Sequence, residues 1–439
     1  MTPRIPPPIE RRTLLMGSAG LMLLAACGGG SDGKKVVPAG AKDDGPVIVE
    51  QDAGNAVTPD DVATLVAALN TAFDARDLDA LIELTALSGP SADQDLRERW
   101  AYRLENFTRN DIVAGEFFVG LPKGRARNAS GGRLEYRGSV VFGHRIRDCD
   151  ARDVVEEFNA SFSKASADAP LVIDRLGDVE AGFSPAIWDV AKLDTIVTEH
   201  TVLAFRTQDG ALARTQAPAI DAGVKRAFAL MAIPEGVSKV FFALAWDEVY
   251  GTLWGGPNLS ESLGAAYPHV YLDPAALAAG QSVPAGGDNL PVATARIALY
   301  SSSFSSGKVD DVACHEAVHA LANQWGRDSP SWVAEGLARW ADREPGSGGL
   351  LQQRGAIAAA FPAFRRRMGK KKVEFYEDDP QGLNYECAGA VFEHLDRTEG
   401  RKRVFEVASA FYGPSDQVTS RLGVDGDGLL AATEKWLTA

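Results

Sequence analysis

The sequence predicts an α+β protein with two folded blocks. The chain has 439 residues, of which 45% are hydrophobic and 24% charged, and this balance excludes a disordered, collagen-like or coiled-coil chain. Hydrophobic periodicity changes from helical to alternating within the first block, which indicates helices followed by strands. The second block is predicted to be mostly helical with a small sheet. Four cysteines are too few for a disulfide scaffold.

The charge of the chain argues against one class of partner. The formal net charge is −14, from 45 basic and 59 acidic residues. Nucleic-acid binding depends on neutralising phosphates with lysine and arginine, and an acidic protein does this poorly. We therefore expect no nucleic-acid partner.

Residues 1–26 indicate an export signal. A basic start is followed by the apolar run 14–26, which is shorter than a membrane-spanning helix. The sequence Leu-Ala-Ala-Cys at 24–27 resembles a bacterial lipobox, which implies a lipid on Cys27 and a cell-envelope lipoprotein on the extracytoplasmic side of a membrane. An ordinary secretory signal is the alternative. The pair Arg11 and Arg12 fits both a twin-arginine signal and a plain basic region, so both export routes remain open.

Residues 27–57 predict a flexible tether between the lipid and the folded body. They are rich in Gly, Ser, Asp and Lys and have no apolar periodicity. No later apolar run is long enough to span a bilayer. We expect the body to lie in a compartment that permits disulfides.

Residues 58–205 predict an α+β domain. Thr58 and Pro59 are typical of a helix start, and apolar residues then follow helical spacing to about residue 73. Further predicted helices and then strands follow in order: helices 78–87 and 92–107, and strands 112–119, 133–144, 153–163 and 171–173. Helices followed by a run of consecutive strands favour an antiparallel sheet.

The order of these elements resembles the nuclear-transport-factor-two-like cone found in many bacterial lipoproteins. The resemblance covers about 58–200 and rests on the pattern of elements, which closes on 187–190. It implies either a pocket for a small ligand or a packing module, and the sequence leaves both open.

Residues 211–439 predict the second domain. The pattern indicates, in order, helix 215–231, strand 237–245, a Gly- and Pro-rich segment around a short strand 269–272, strand 295–300 and helix 308–324. The chemistry lies on the last of these elements.

Residues 315–319 read His-Glu-Ala-Val-His on the helix predicted over 308–324. Histidines four residues apart share one helix face, so both imidazoles can reach one Zn²⁺ ion at about 2.0–2.1 Å. Glu316 lies beside them and can take a proton from a metal-bound water. The whole chain has only six histidines, so a chance match on a surface helix is a rare alternative.

A catalytic zinc site needs a third protein ligand and an open position. The metzincin pattern fails, because Ala322 and Trp325 stand where it requires Gly and His. Glu335 follows Pro330 in the first turns of the next predicted helix and can face the histidine helix. The alternative for Glu335 is a solvated acid paired with Arg339 one turn later.

The motif H-E-x-x-H at 315–319, followed by P-x-W-x-x-E-G-x-A at 330–338, resembles the gluzincin class of zinc metallopeptidases and is close to compact bacterial peptidase MA-like domains. The resemblance implies Zn²⁺ as cofactor and a peptide or protein as substrate. It also implies a role for each matching residue: His315, His319 and Glu335 as metal ligands and Glu316 as the general base.

The resemblance extends to Tyr385, which opens the helix predicted over 384–395. Gluzincins of this type carry a tyrosine at the head of such a helix, in a Y-x-x-[AG]-[AG] setting. It implies that the phenol of Tyr385 donates to the developing oxyanion, with a packed helix-start tyrosine as the alternative. It further implies that strand 295–300 lies along the cleft edge, where an extended substrate could pair.

Close packing of the two helices, as the resemblance implies, would allow a disulfide between Cys314 and Cys387. Two buried thiols are the alternative. Cys149 is expected to remain a thiol in either case.

Three functions remain open from the sequence. The first is a lipid-anchored, zinc-dependent peptidase, and the second is a catalytically idle zinc-binding adaptor or ligand-binding lipoprotein that acts through 58–205. The third is a zinc hydrolase of a non-peptide bond. A complete ligand set with Glu316 favours hydrolysis, because an idle site has no need of a base.

Overall fold

The structure is a computed structural model, and it describes fourteen stretches of the chain: 57–87, 94–110, 113–119, 127–128, 134–166, 168–179, 187–189, 191–245, 263–271, 292–326, 329–368, 375, 383–413 and 418–439. The predicted export signal, Cys27 and the tether up to residue 56 lie outside these residues. The described residues form mixed helix and sheet, as the α+β prediction requires.

The first block consists of three helices and an antiparallel sheet. In chain order these are α1 (Pro59–Asp74), α2 (Leu78–Leu84), α3 (Gln94–Asn110), β1 (Val113–Val119), β2 (Arg127–Asn128), β3 (Leu134–Ile146), β4 (Val154–Lys164) and β5 (Val172–Val179). The strand order is β1-β3-β4-β5, with β2 paired to β3. The predicted antiparallel sheet is confirmed.

The predicted start of α1 is also confirmed. The Thr58 hydroxyl accepts a hydrogen bond from the Asp61 amide, and the Asp61 carboxylate accepts one from the Thr58 amide at 2.8 Å. This reciprocal pair satisfies two of the amides that a helix leaves unpaired at its start. The helix then packs Phe73 edge-to-face on Phe117 and Phe142 of the sheet, with ring centroids 5.8 and 5.1 Å apart.

A second, mixed sheet contains five strands: β6 (Leu193–Val197), β7 (Thr201–Arg206), β8 (Val240–Leu244), β9 (Gly264–Val270) and β10 (Val292–Leu299). Their spatial order is β6-β7-β8-β10-β9. Strands β7, β8 and β10 run parallel, and the outer strands β6 and β9 are antiparallel to their neighbours. The sequence-based boundary at 205–211 therefore falls after two strands that pair in the second sheet.

Strands β6 and β7 were not predicted. Strand β7 is buried on both faces and lacks an alternating pattern, whereas β6 is only partly buried and its five residues do not alternate either. Leu203 and Phe205 of β7 face the core shared with the helices of the second block. Val202 and Ala204 of the same strand face the core of the first block. The second sheet is thus the layer between the two sets of helices.

Nine helices of the described residues belong to the second block: α4 (Gly210–Leu230), α5 (Ser301–Ser305), α6 (Val309–Ala322), α7 (Ser331–Asp342), α8 (Arg354–Met368), α9 (Asn384–Glu399), α10 (Arg401–Tyr412), α11 (Val418–Leu422) and α12 (Gly426–Thr438). Helix α4 packs closely on α6 at Gly223, where an added Cβ would lie 2.3 Å from the Asp310 carbonyl oxygen. Helix α7 packs against both α6 and α9. None of the helices that the structure describes is long and apolar enough to cross a bilayer.

The strand expected along the cleft edge is in fact internal. Strand β10, predicted over 295–300, is hydrogen-bonded to β8 on one side and to β9 on the other. Among the described strands, β9 ends the sheet on this side. The expectation for β10 was wrong because the pairing of the short strand before it, β9, with its outer side depends on tertiary structure and not on local pattern.

Candidate metal centre

Helix α6 brings His315 and His319 onto one face, with ring centroids 4.9 Å apart. The helix begins with Asp310 and Asp311, whose negative charges are favourable near a helix N-terminus. It is buried along most of its length, between α4, α7 and the second sheet. This packing holds the two imidazoles in place, as their spacing predicted.

Glu335 on α7 faces the two histidines. Its Oε2 lies 3.0 Å from Nε2 of His315 and 3.5 Å from Nε2 of His319. One ligand atom from each of the three residues lies within 4.8 Å of the others. Arg339, the alternative partner for Glu335 in the sequence, donates to Asp342 and Glu386.

Asp342 is a site residue that the sequence analysis missed. Its Oδ2 accepts a hydrogen bond from Nδ1 of His315 at 2.9 Å, and its side chain is 4% exposed. A carboxylate on Nδ1 fixes the ring orientation and leaves Nε2 toward Glu335, as second-layer carboxylates do in metal sites. The signal was present in the sequence, because Asp342 follows Glu335 by two helical turns and so shares its face.

The electrostatics of the group favour a positive charge at its centre. Burial opposes protonation of His315, yet the carboxylates of Asp342 and Glu335 raise the pKa of this imidazole to about 10. Burial would raise the pKa of Glu335, but the charges and hydrogen bonds of His319 and His315 hold it well below its usual range. The same field would stabilise a divalent cation, and two nitrogens with one carboxylate oxygen match a zinc donor set. The residues present therefore fit a metal ion.

Glu316 lies beside the ligand group and is only 7% exposed. Burial raises the pKa of its carboxyl above the ordinary value. The side chain packs against the start of β9, where a Cβ added to Gly264 would lie 3.1 Å from Glu316 Cγ and 3.2 Å from its Oε1. Gly264 is a second residue that the sequence analysis did not single out, and its lack of a side chain leaves room for this carboxylate.

Tyr385 approaches the group from the first turn of α9. Its ring centroid is 6.1 Å from that of His315 and 5.3 Å from that of Phe375. The residue is 36% exposed. The structure thus brings Tyr385 to the ligand group, with part of its side chain open to solvent.

The disulfide implied by the resemblance is not formed. Cys314 and Cys387 are both buried thiols, as is Cys149. The Cys314 thiol points to the carbonyl of Ala341 on α7, with the sulfur 3.8 Å from the oxygen. Helix α7 packs between the helices that carry the two cysteines, and the alternative of two buried thiols is the one that the structure shows.

A second group of possible ligands has a structural role. Glu199, His200 and Asp221 also offer atoms within 4.8 Å of one another. Asp221 accepts hydrogen bonds from the His200 amide at 2.8 Å and from the Thr198 hydroxyl, so it closes the turn between β6 and β7. The Lys239 ammonium donates to a carbonyl of the same turn at 2.8 Å, and its charge disfavours a cation there.

The chain matches no known family model and no curated protein. The interpretation of the site therefore depends on its own geometry and on the sequence motifs.

Proposed function

We propose that this protein is a zinc-dependent peptidase of gluzincin type. The observation that carries the proposal is the convergence of His315, His319 and Glu335 within 4.8 Å, with buried Glu316 alongside. A catalytically idle adaptor would have no need of Glu316, because a buried carboxylate costs free energy unless it has a function or a partner. Asp342 adds support, because its carboxylate orients the imidazole of His315, and a fixed ring orientation is what metal binding by this residue requires.

Zinc, when bound, supplies a Lewis acid that polarises the scissile carbonyl and acidifies a water molecule. The side chains of the protein are proposed to carry out the proton transfers. Glu316 takes the proton from the attacking water and passes it to the leaving amine. Its raised pKa suits both steps, because a carboxyl with a raised pKa is a stronger base and can also hold the proton it receives.

Tyr385 is proposed to stabilise the tetrahedral intermediate. Its ring centroid lies 6.1 Å from that of His315 and the residue is partly exposed, and a phenol donates one hydrogen bond to a developing oxyanion. The substrate is proposed to be an extended peptide or protein segment that pairs with β9, because this strand ends the described sheet and begins beside Glu316. A lipid on Cys27 would hold the enzyme at the extracytoplasmic face of a membrane.

The metal and the base can be tested separately on purified residues 58–439. The unaltered protein is expected to hold about one zinc per chain, and His315→Ala with His319→Ala to hold none. Glu316→Gln should keep its zinc and lose peptide cleavage by several orders of magnitude, because the ligands remain and the base does not. Elemental analysis and cleavage of a broad peptide library measure the two effects.

Each outcome bears on a different part of the proposal. Absence of zinc after zinc-replete refolding would contradict the metal centre itself. A zinc-loaded protein that cleaves no peptide of the library would contradict the peptidase and leave the idle adaptor and the hydrolase of a non-peptide bond. Full activity of Glu316→Gln would contradict the role of this residue.

A further inference from the structure

A series of ion pairs leads from the metal centre to the helix that carries Tyr385. We propose that Arg339 is a positioning residue, which holds Tyr385 at the site by binding the start of α9 to α7. The catalytic consequence of this proposal rests on the proposed function above. The contact itself does not, and it can be tested without any peptidase assay.

Arg339 lies on α7, one turn after Glu335. Its Nη1 donates to Asp342 Oδ1 at 3.3 Å, and its Nη2 donates to Glu386. Glu386 is the neighbour of Tyr385 in the first turn of α9. One guanidinium therefore joins the carboxylate that holds His315 to the carboxylate beside Tyr385.

These ion pairs are largely shielded from solvent. The side chains of Arg339, Asp342 and Glu386 are 19%, 4% and 14% exposed. Charge pairs in such surroundings interact more strongly than exposed pairs, because water screens them less. The guanidinium can serve two carboxylates at once, since it presents five donors in a planar fork.

Close backbone packing holds the second turn of α9 against α7, and the first turn is joined to its neighbours by side chains. An added Cβ on Gly336 would lie 2.6 Å from the Ala388 carbonyl oxygen, and one on Gly389 would lie 3.1 Å from Arg339 Cγ. The two helices are thus in close contact there, and the Arg339 stem crosses Gly389. Leu383 at the N-cap position has no side-chain acceptor for the first amides of α9, so the first turn depends on its side-chain contacts.

Side-chain hydrogen bonds join this first turn to two other helices among the described residues. Asn384 donates to the Phe375 carbonyl at 2.7 Å and accepts from Arg367 of α8. Glu386 binds Arg339 of α7, on the side of the metal centre. The second contact therefore joins the residue next to Tyr385 to the helix that carries Glu335.

The test variant is Glu386→Gln, which removes the charge at α9 and leaves Asp342 and His315 unaltered. Zinc content should stay at about one per chain, while kcat for peptide cleavage falls roughly tenfold and KM changes little. Glu386→Asp keeps the charge and should recover part of the loss. The matched control is Arg397→Gln, which lies three turns after Glu386 on the same helix. It breaks a different ion pair, in which the Arg397 Nε lies 2.6 Å from Glu393 Oε1. It should leave kcat unchanged.

A double-mutant comparison shows whether the effect passes through Tyr385. If Arg339 and Glu386 act by positioning this residue, Glu386→Gln should cause little further loss of kcat in a Tyr385→Phe protein. Independent, multiplicative losses would overturn the proposal. Loss of zinc in Glu386→Gln would also overturn it, because the residue would then act on the metal.

Hydrogen exchange provides a readout that does not depend on activity. The Cys387 amide donates to the Leu383 carbonyl at 2.9 Å and reports opening of the first turn. In Glu386→Gln, the amides of 387–390 should exchange roughly fivefold faster than in the unaltered protein, and in Arg397→Gln they should not. Unchanged exchange would overturn the proposal even if Glu316→Gln abolishes cleavage. Faster exchange in a protein without peptidase activity would support the contact and contradict the proposed function alone.

Discussion

Gly264 shows how a single missing side chain makes room for the proposed base. An alanine Cβ at this position would lie 3.1 Å from both Glu316 Cγ and Val312 Cγ1. Contacts this short force the carboxylate or the start of β9 to move by a few tenths of an ångström. A displacement of this kind matters at a site where a proton must be transferred over hydrogen-bond distance.

We expect Gly264→Ala to lower kcat roughly tenfold while zinc content remains unchanged, because it displaces Glu316 and no ligand. Elemental analysis and steady-state kinetics on the same preparation check this. The matched control is Gly355→Ala in α8, where an added Cβ meets no atom within 4 Å. Equal kinetics for Gly264→Ala and the unaltered protein would show that the base tolerates the shift.

At the scale of elements, a partly buried ion pair joins α1 to the first sheet. The Lys164 ammonium of β4 donates to both oxygens of Asp61 at 2.9 Å, and the lysine side chain is 4% exposed. The hydrogen bond from Lys164, with those from Thr58, lowers the pKa of Asp61 below its ordinary value of 3.8. The folded state therefore holds the Asp61 proton less tightly than the unfolded state.

This difference makes stability depend on pH in a known direction. The stabilisation is complete above pH 3.8 and is lost as the pH falls through the lower pKa of the folded state. Asp61→Asn should cost about 2 kcal/mol near neutral pH, because it leaves the Lys164 charge buried, and should remove this acid-dependent loss. Urea unfolding at a series of pH values measures the free energy of unfolding of each protein, with Asp60→Asn at an exposed position as control. A parallel pH profile for Asp61→Asn and the unaltered protein would contradict the assignment.

At the scale of the whole molecule, the two blocks share their contacts. The Arg296 guanidinium of β10 donates to Asp150 of the first block at 2.6 Å, and both side chains are buried. The carbonyl of Asp148 accepts from the Ser238 and Lys239 amides just before β8. The second sheet also contributes residues of β7, β8, β9 and β10 to the core of the first block.

We therefore expect residues 211–439 not to fold alone, because this fragment lacks β6 and β7 and exposes one face of the remaining sheet. Residues 58–439 should unfold in a single cooperative transition. Near-ultraviolet circular dichroism and thermal unfolding show whether each of the two proteins has fixed tertiary packing and a cooperative transition. A cooperative, zinc-binding 211–439 fragment would show that the second block is independent.

The proposed membrane attachment depends on one residue outside the described part of the chain. Cys27→Ser should release the protein from membranes into the soluble fraction, because the thioether-linked lipid is lost. Fractionation of cells that produce each form measures the change. An Ala439→Ser variant provides a control for expression. Mass spectrometry that finds a mature N-terminus elsewhere, without lipid, would contradict the lipobox interpretation.

The sequence determined the features that depend on local spacing. Histidines four residues apart lie on one helix face in any α-helix, so the geometry of His315 and His319 followed from the register alone. The helix start at Thr58 and the strands β1, β3 and β4 were equally readable, because helix starts and alternating patterns are properties of short segments.

Only the tertiary structure decided which distant segments meet. The orientation of Glu335, the contact of Asp342 with His315 and the position of β9 outside β10 all join residues or elements from different parts of the chain. Strand β7 escaped prediction because burial on both faces removes the alternation that marks a strand. The thiols of Cys314 and Cys387 do not pair, because helix α7 packs between the helices that carry them. The sequence around either cysteine does not indicate that another helix lies between them.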